Sequence, residues 1–333
     1  MKSVILVQVK NSYGYLPAFI AHHQRLVDKI IIMDHNSDRH LSGLARPGVE
    51  TIRISAAFYA QDLYAAYFIK ALNLRRDFDF LFLLDIDEFL PFQSKEEFSG
   101  FLEERRDCGA LSMYWRNGFS VSSNPLNAHE KISFTTWRSS TKKMIYNLKK
   151  VPEIMPIVGN HNAKYPLLDS LLIQARPKRQ DSSLGLLHIP FLGLDGLRRK
   201  IREFPKAFFG EKLFKDFRYL DIEIDPALPQ FGLSEEDLLL FVANYRTKPS
   251  DMRRDVNRST FEEIDFLSGL DDQIKSVSND LDNCEAALAA PKFFGEFELV
   301  TKLRANRIFV FRRLRRAFGL QSDGTYSFNL PRQ

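Results

Sequence analysis

Three acids within four positions, Asp85, Asp87 and Glu88, follow directly on five apolar residues in FLFLLDIDEFLPF, residues 80–92. Carboxylates released from a strand end into a turn can converge on one hard cation, and Mg2+ or Mn2+ takes oxygen ligands of this kind. A cation held there would neutralise the negative charge that builds on a diphosphate leaving group. A buried strand with plainly solvated acids at its end has the same short pattern. Two features favour the metal reading: the apolar run before the acids, and a second acid, Asp34, that ends another apolar run in KIIIMD (29–34).

The elements needed to position these acids are legible. SVILVQV (3–9), KIIIMD (29–34), VETIRI (49–54) and FDFLFLLD (78–85) read as strands, the first a short β-branched run suited to burial on both faces. Between them, YLPAFIAHHQRLV carries Leu16, Phe19, Ile20, His23, Leu26 and Val27 at helical spacing, and Pro17 is admissible in a first turn. A longer helical stretch covers 57–75. Strands alternating with helices predict an α/β protein with a mostly parallel sheet. Ligands of such sheets bind outside the carboxyl ends of the strands, where Asp34 and Asp85 both fall. CGALSMYWRNGFS (108–120) reads as a further strand entering a glycine-containing loop, and LGLLHIP (184–190) as a short strand. Beyond 195 the chain reads as mainly helical, with a boundary near 192–220. The expected division is a nucleotide-binding and catalytic domain over 1–200 and a helical region over 201–333.

Several chemistries are disfavoured. The phosphate-cradling G-x-x-x-x-G-K-[ST] loop is absent, no G-x-G-x-x-G follows the first strand, and no G-x-S-x-G supplies a nucleophile elbow. Haloacid-dehalogenase-like phosphatases also place D-x-D after an apolar strand, but they need a small Thr or Val where this chain has Phe89.

The 333 residues are 44% hydrophobic and 13% aromatic, with 29 Phe, which belongs to a folded chain with a large core. No apolar run approaches the length of a membrane span, and MKSVILVQVKNSYGY reads as a first strand and not as a signal peptide. Cys108 and Cys284 lack metal or redox spacing, so reduced thiols and a cytoplasmic location are expected. The net charge of +5 is unevenly placed: KLRANRIFVFRRLRR (302–316) holds seven Lys or Arg and no acid. Leu303, Val310, Phe311, Leu314 and Phe318 add an apolar stripe, a pattern suited to peripheral attachment on the anionic inner face of a membrane or to packing on a partner. No recognised nucleic-acid module accompanies the basic residues, so nucleic acid is not an expected partner.

VQVKNSYGYLPAFIAHHQRLVDKIIIMDHNS followed by FLFLLDIDEFLPF resembles the family 2-like glycosyltransferases of GT-A fold, in the branch that reads K-N-E, H-H, D-N-x-S and then D-x-D-E-F. The resemblance is good over 3–92 and loose through WRNGF (115–119) to LLHIPF (187–192). It implies a metal-dependent enzyme using Mn2+ or Mg2+. Such an enzyme moves a sugar, with inversion, from a nucleotide-diphosphate-sugar donor to the hydroxyl of a glycan or lipid-linked acceptor in cell-surface polysaccharide synthesis. Carried over, it puts Lys10, Asn11, Asp34, Asn36 and Ser37 at the donor, Asp85 at the ribose and metal, and Asp87 on the metal, with Glu88 orienting its neighbours. A histidine from a later strand completes the metal site in this fold. His188 is the better match and His161 the weaker.

Two departures stand out: Ser12 replaces the family's acid after K-N, and the second-strand loop is shortened to Asp34-His35-Asn36-Ser37-Asp38. They keep an alternative open, a non-catalytic peripheral membrane or scaffold protein with a degenerate sugar-nucleotide fold. A transferring enzyme needs a general base near the acceptor hydroxyl, for which Asp195 and Glu130 are weak candidates without a motif. Trp115 and Trp137 are candidates for sugar stacking or for core packing.

Overall fold

The computed structural model describes residues 1–54, 61–120, 126, 132–151, 154–164, 179–193, 195–197, 217–223, 232–286, 318–320 and 326–328. The basic segment 302–316 and Glu130 lie outside the described residues.

β1 (Ser3–Val9) is buried along its whole length and lies between β2 (Lys29–Asp34) and β4 (Phe80–Leu84), parallel to both. β3 (Val49–Arg53) extends the parallel set beyond β2. The order β3-β2-β1-β4 therefore reverses direction between β1 and β4. Chain connections diverge at such a switch point and leave a crevice at the carboxyl ends. Here that crevice lies between Lys10 and Asp85.

Beyond β4 the sheet becomes mixed. β8 (Lys142–Asn147) runs antiparallel to β4 and to β6 (Ala110–Phe119), followed outward by β7 (Ile132–Thr135) and β13 (Phe261–Ile264). The short β5 (Glu88–Phe89) pairs with β12 (Leu186–His188), which runs parallel to the end of β6, while β11 (Arg179–Asp181) runs parallel to its beginning. Two small hairpins, β9 (Met155–Pro156) with β10 (Ala163–Lys164) and β14 (Phe318–Leu320) with β15 (Tyr326–Phe328), complete the described strands. The α/β class with a Rossmann-like parallel set read from the sequence is the class observed.

Strand alternation sends Ile5, Val7 and Val9 to one hydrophobic cluster and Val4 and Leu6 to another. The first cluster holds α1 (Leu16–Gln24) and α4 (Lys95–Glu103); the second holds α2 (Gln61–Ala71). The helix expected over 57–75 is interrupted: Asn73 takes φ 49°, in the left-handed region, before the short α3 (Leu74–Asp77). Two C-terminal helices, α5 (Glu235–Ala243) and α6 (Asp271–Asp282), put Leu238, Phe241, Ile274 and Val277 into the same cluster as β1. α5 starts in a capping box between Ser234 and Asp237.

The strand expected to enter a glycine loop at WRNGF instead runs on through Phe119. Gly118 is a strand residue there because Phe134 of β7 covers its Cα. A Cβ would lie 2.4 Å from that ring.

Candidate functional site

β4 is an unbroken apolar strand, and it ends because Asp85 begins a tight turn in which the Glu88 N–H donates to the Asp85 carbonyl at 3.1 Å. Glu88 then folds back. Its carboxylate, fully buried, accepts from the Asp85 N–H at 2.7 Å and from the Trp115 indole Nε1–H at 2.6 Å. Burial pushes the Glu88 carboxyl well above the usual carboxylate range, with the Lys143 ammonium opposing. The turn DIDE is thus pinned from inside by its own last residue.

Lys143, wholly buried on β8, reaches the same turn. Its ammonium donates to Asp85 Oδ2 at 2.5 Å and stands 3.5 Å from Glu88 Oε2. Burial works against its charge, but Asp85 and then Glu88 outweigh burial and raise its pKa. The other Asp85 oxygen accepts from Gln61 Nε2 at 2.6 Å, at the start of α2. Asp85, expected on a metal beside Asp87, is joined to an internal cation, the Lys143 ammonium.

Asp87 is placed differently. Its backbone carbonyl accepts from the Ile189 N–H at 2.8 Å, which brings the end of β12 alongside, and its Oδ2 lies 3.7 Å from His188 Nε2. His188 is buried and stacked on Trp115, with ring centroids 3.8 Å apart. Its Nδ1 meets Asn117 Oδ1 at 2.8 Å, while the Asn117 amide donates to the carbonyls of Ala243 and Tyr245. Those two bonds leave Asn117 Oδ1 as acceptor, so His188 Nδ1 donates to it and Nε2 is the ring nitrogen that faces the Asp87 carboxylate. A carboxylate beside an imidazole nitrogen is a pair that a divalent cation could share, and a histidine held through its other ring nitrogen is how metal ligands are commonly fixed. Among the described residues, no group of three or more His, Cys, Asp or Glu side chains is placed to hold a metal ion. A site with few protein ligands suits a cation that keeps water and substrate oxygens.

His161 occupies another position. Its Nδ1 meets the Lys142 carbonyl at 2.7 Å and its ring stands edge-on to Trp115. Burial, then the Lys143 charge, pull its pKa down to about 4.

At the other side of the crevice, the ends of β1 and β2 are tied together. Asn11 and Asn36 both adopt positive φ, 51° and 59°, which Asn tolerates better than most residues. The Asn11 N–H donates to Ser37 Oγ at 3.1 Å, and its side chain exchanges hydrogen bonds with Asp38. Asp34 is buried: its Oδ1 accepts from the Ser37 N–H at 2.9 Å and its Oδ2 from Arg53 Nη1 at 2.8 Å. Arg53 also bonds Asn36 Oδ1 and the Ser37 carbonyl. Asp34 therefore builds the loop from beneath, and Lys10 stands exposed beside it. Asp195 is exposed, three residues past a bridge from Ser120 to Leu192.

Four participants have no motif to announce them: Lys143, Gln61, Arg53 and Asn117. A fifth is Gln8. Val7 pairs with Leu84, so Gln8 stands across from Asp85 one step further along. Its side chain is 7% exposed, and neither amide atom has a hydrogen-bond partner. A polar residue next to the end of the apolar run SVILVQV was the available signal. A buried amide without a partner is costly and calls for a ligand or a water.

No family model matches the chain, and no curated protein matches it. Among solved structures it is similar to 4-diphosphocytidyl-2C-methyl-D-erythritol synthase from Anaerococcus prevotii, at 12% identity, over 54% of this chain and 86% of that one, with TM-score 0.32. It is similar to mannose-1-phosphate geranyltransferase from Thermus thermophilus at 9% identity, over 80% and 77%, with TM-score 0.27. A third, A197 from STIV, is 11% identical over 57% and 86%, with TM-score 0.30. With TM-scores this low, the fold assignment rests on the sheet's own topology.

Proposed function

We propose that this chain is a metal-dependent glycosyltransferase of GT-A fold, moving a sugar from a nucleotide-diphosphate-sugar to an acceptor hydroxyl. The observation that carries the reading is the position of Asp85-Ile86-Asp87: at the carboxyl end of β4, across the sheet's switch point from Lys10, with His188 Nε2 3.7 Å from Asp87 Oδ2. The resemblance of VQVKNSYGY, KIIIMDHNS and FLFLLDIDEF to the family 2-like glycosyltransferases supports the same reading.

In this account Asp87 and His188 would hold Mn2+ or Mg2+, which supplies charge neutralisation for a departing nucleoside diphosphate. Asp85, held between Lys143 and Gln61, would take the ribose side of the donor, and the unpartnered Gln8 amide would complete its hydrogen bonds there. Asn11, Asn36 and Ser37 would border the nucleotide on a loop that Asp34 and Arg53 keep rigid. Lys143 and Gln61 hold the Asp85 carboxylate while Glu88 and Trp115 fix the turn, so the carboxylates do not reorganise when the donor arrives. Inversion, a glycan or lipid-linked acceptor and a role in cell-surface polysaccharide synthesis enter this proposal on the family resemblance alone; Asp195 as base rests only on its place just beyond His188, and cytoplasmic placement on the lack of metal or redox spacing at Cys108 and Cys284. No described helix is long and apolar enough to cross a membrane.

A panel of nucleotide-sugars, each with and without Mn2+, tests the reading by nucleoside diphosphate release. Metal-dependent turnover of one donor, abolished in Asp87→Ala with the fold intact, is the expected result. No turnover and no nucleotide binding across the panel would leave the non-catalytic alternative in its place.

A further inference from the structure

On β6, Trp115 faces the carboxylate turn while its neighbour Tyr114, paired with Lys142, faces the other side of the sheet. Behind Tyr114 lies an open groove of about 560 Å³, lined among the described residues by Tyr114, Trp137, Arg138, Ser139 and Arg253. No acid is among them. We propose that this groove is a second binding site, for a hexose that carries a negative group, on the sheet face away from the donor rim.

Ring faces and cations are combined here in the way such a ligand requires. The Arg253 guanidinium lies 4.5 Å from the Trp137 ring centre, Arg138 lies 5.8 Å from that of Tyr114, and Lys142 Nζ lies 5.0 Å from the same ring. A guanidinium stacked on a ring keeps its N–H edge directed outward, and that edge matches the paired oxygens of a carboxylate or phosphate. No carboxylate pairs with Arg253 or Arg138 among the described residues; Arg138 spends one N–H on the Ser182 carbonyl at 2.6 Å. Trp137 is only partly buried, so its ring is available to the C–H face of a sugar. The volume falls within the range of small-ligand sites. Two rings and two guanidinium groups in so short a groove, with Lys142 beside Tyr114, suit one acidic sugar unit better than a strand of nucleic acid, which needs a longer basic track with successive stacking platforms.

The site is read without any turnover, so its failure and that of the glycosyltransferase reading are separable. The chain has two tryptophans, and Trp115 is buried, which makes Trp137 the solvent-sensitive reporter. Intrinsic fluorescence of the full chain is titrated with a glucuronate-ended oligosaccharide, glucose 6-phosphate, glucose, inorganic phosphate and a short oligonucleotide. Saturable quenching by one or both anionic sugars is expected, with no response to glucose or phosphate alone. Which of the two saturates identifies the anionic group. Arg253→Gln and Arg138→Gln, both at exposed positions, are expected to weaken binding about tenfold each without moving the melting temperature. Trp137→Phe should abolish the signal. Equal binding of glucose, equal binding of phosphate alone, preference for the oligonucleotide, no response at all, or quenching that survives Trp137→Phe would each overturn the proposal.

Discussion

At the scale of single residues, the site is organised by a cation the protein itself supplies. Lys143 stands against both Asp85 and Glu88 in the interior. Removing one partner of a buried ion pair costs about 3–5 kcal/mol, because the remaining charge loses its compensation. Lys143→Met is therefore expected to lower unfolding stability by an amount in that range, measured by urea denaturation; a loss below about 1 kcal/mol would show that the carboxylates relax to water or protonate at little cost. Gln8 makes the opposite case. Its amide is buried without a partner, so Gln8→Leu is expected to leave stability unchanged or to raise it while weakening nucleotide binding. Thermal melting and donor titration on the same variant check both halves, and unimpaired donor binding would remove Gln8 from the site. The acids were legible in the sequence because FLFLL ends so abruptly in DIDE. Lys143 was not, since a lysine in KKMIYN looks like a solvated charge until β8 is known to lie beside β4.

At the scale of elements, α1 does more than cover the sheet. His22 and His23 near its end clamp the backbone of one residue just past the acidic turn: His22 Nε2 meets the Leu90 carbonyl at 2.8 Å, and the Leu90 N–H donates to His23 Nε2 at 3.2 Å. Neutral imidazoles of opposite tautomer fit the arrangement: His23 Nδ1 donates to the Phe19 carbonyl so its Nε2 accepts, while His22 Nδ1, beside Arg25 Nη2 at 3.2 Å and the Phe266 carbonyl at 3.1 Å, accepts from the arginine and its Nε2 donates. Burial, then the Arg25 charge, lower the His22 pKa to about 3; burial, then His22, lower that of His23 well below normal. The unfolded chain thus binds more protons below its ordinary histidine pKa of about 6.5. The stability carried by neutral His22 and His23 is complete above that pH and is lost as pH falls from about 6.5 toward 3, by up to about 1.4 kcal/mol per pH unit for each. The double variant His22→Gln/His23→Gln should be less stable at pH 7 but show a shallower loss between pH 6.5 and 4.5 in denaturant titrations. An unchanged slope would contradict the clamp. Gly118→Ala tests β6: a methyl driven into Phe134 is expected to cost about 1–3 kcal/mol, whereas a free loop glycine would tolerate it. Periodicity identified α1 and the parallel strands, because each has one clear face. It did not identify the continuation of β6 through Gly118, since what requires a glycine there is a ring from another strand.

At the scale of the whole molecule, the parallel half of the sheet was readable because local pattern and chain order agree there, and the carboxylate rim with it. The antiparallel half was not, because its pairings join segments far apart in sequence: β12 meets both β5 and β6, and β13 meets β7. That assembly is what sets His188 opposite Asp87. The end of α5 also takes part, since the carbonyls of Ala243 and Tyr245 hold Asn117, which holds His188. The C-terminal helices are thereby coupled to the rim, and the account stands or falls on what that rim binds. The most direct test is calorimetric titration of a nucleoside diphosphate into the full chain with and without Mn2+, repeated on Asp87→Asn. Mn2+ is expected to tighten nucleotide binding at least about tenfold in the native chain and to have no effect in the variant. Metal-enhanced binding that survives Asp87→Asn, or tight nucleotide binding indifferent to metal, would contradict the account.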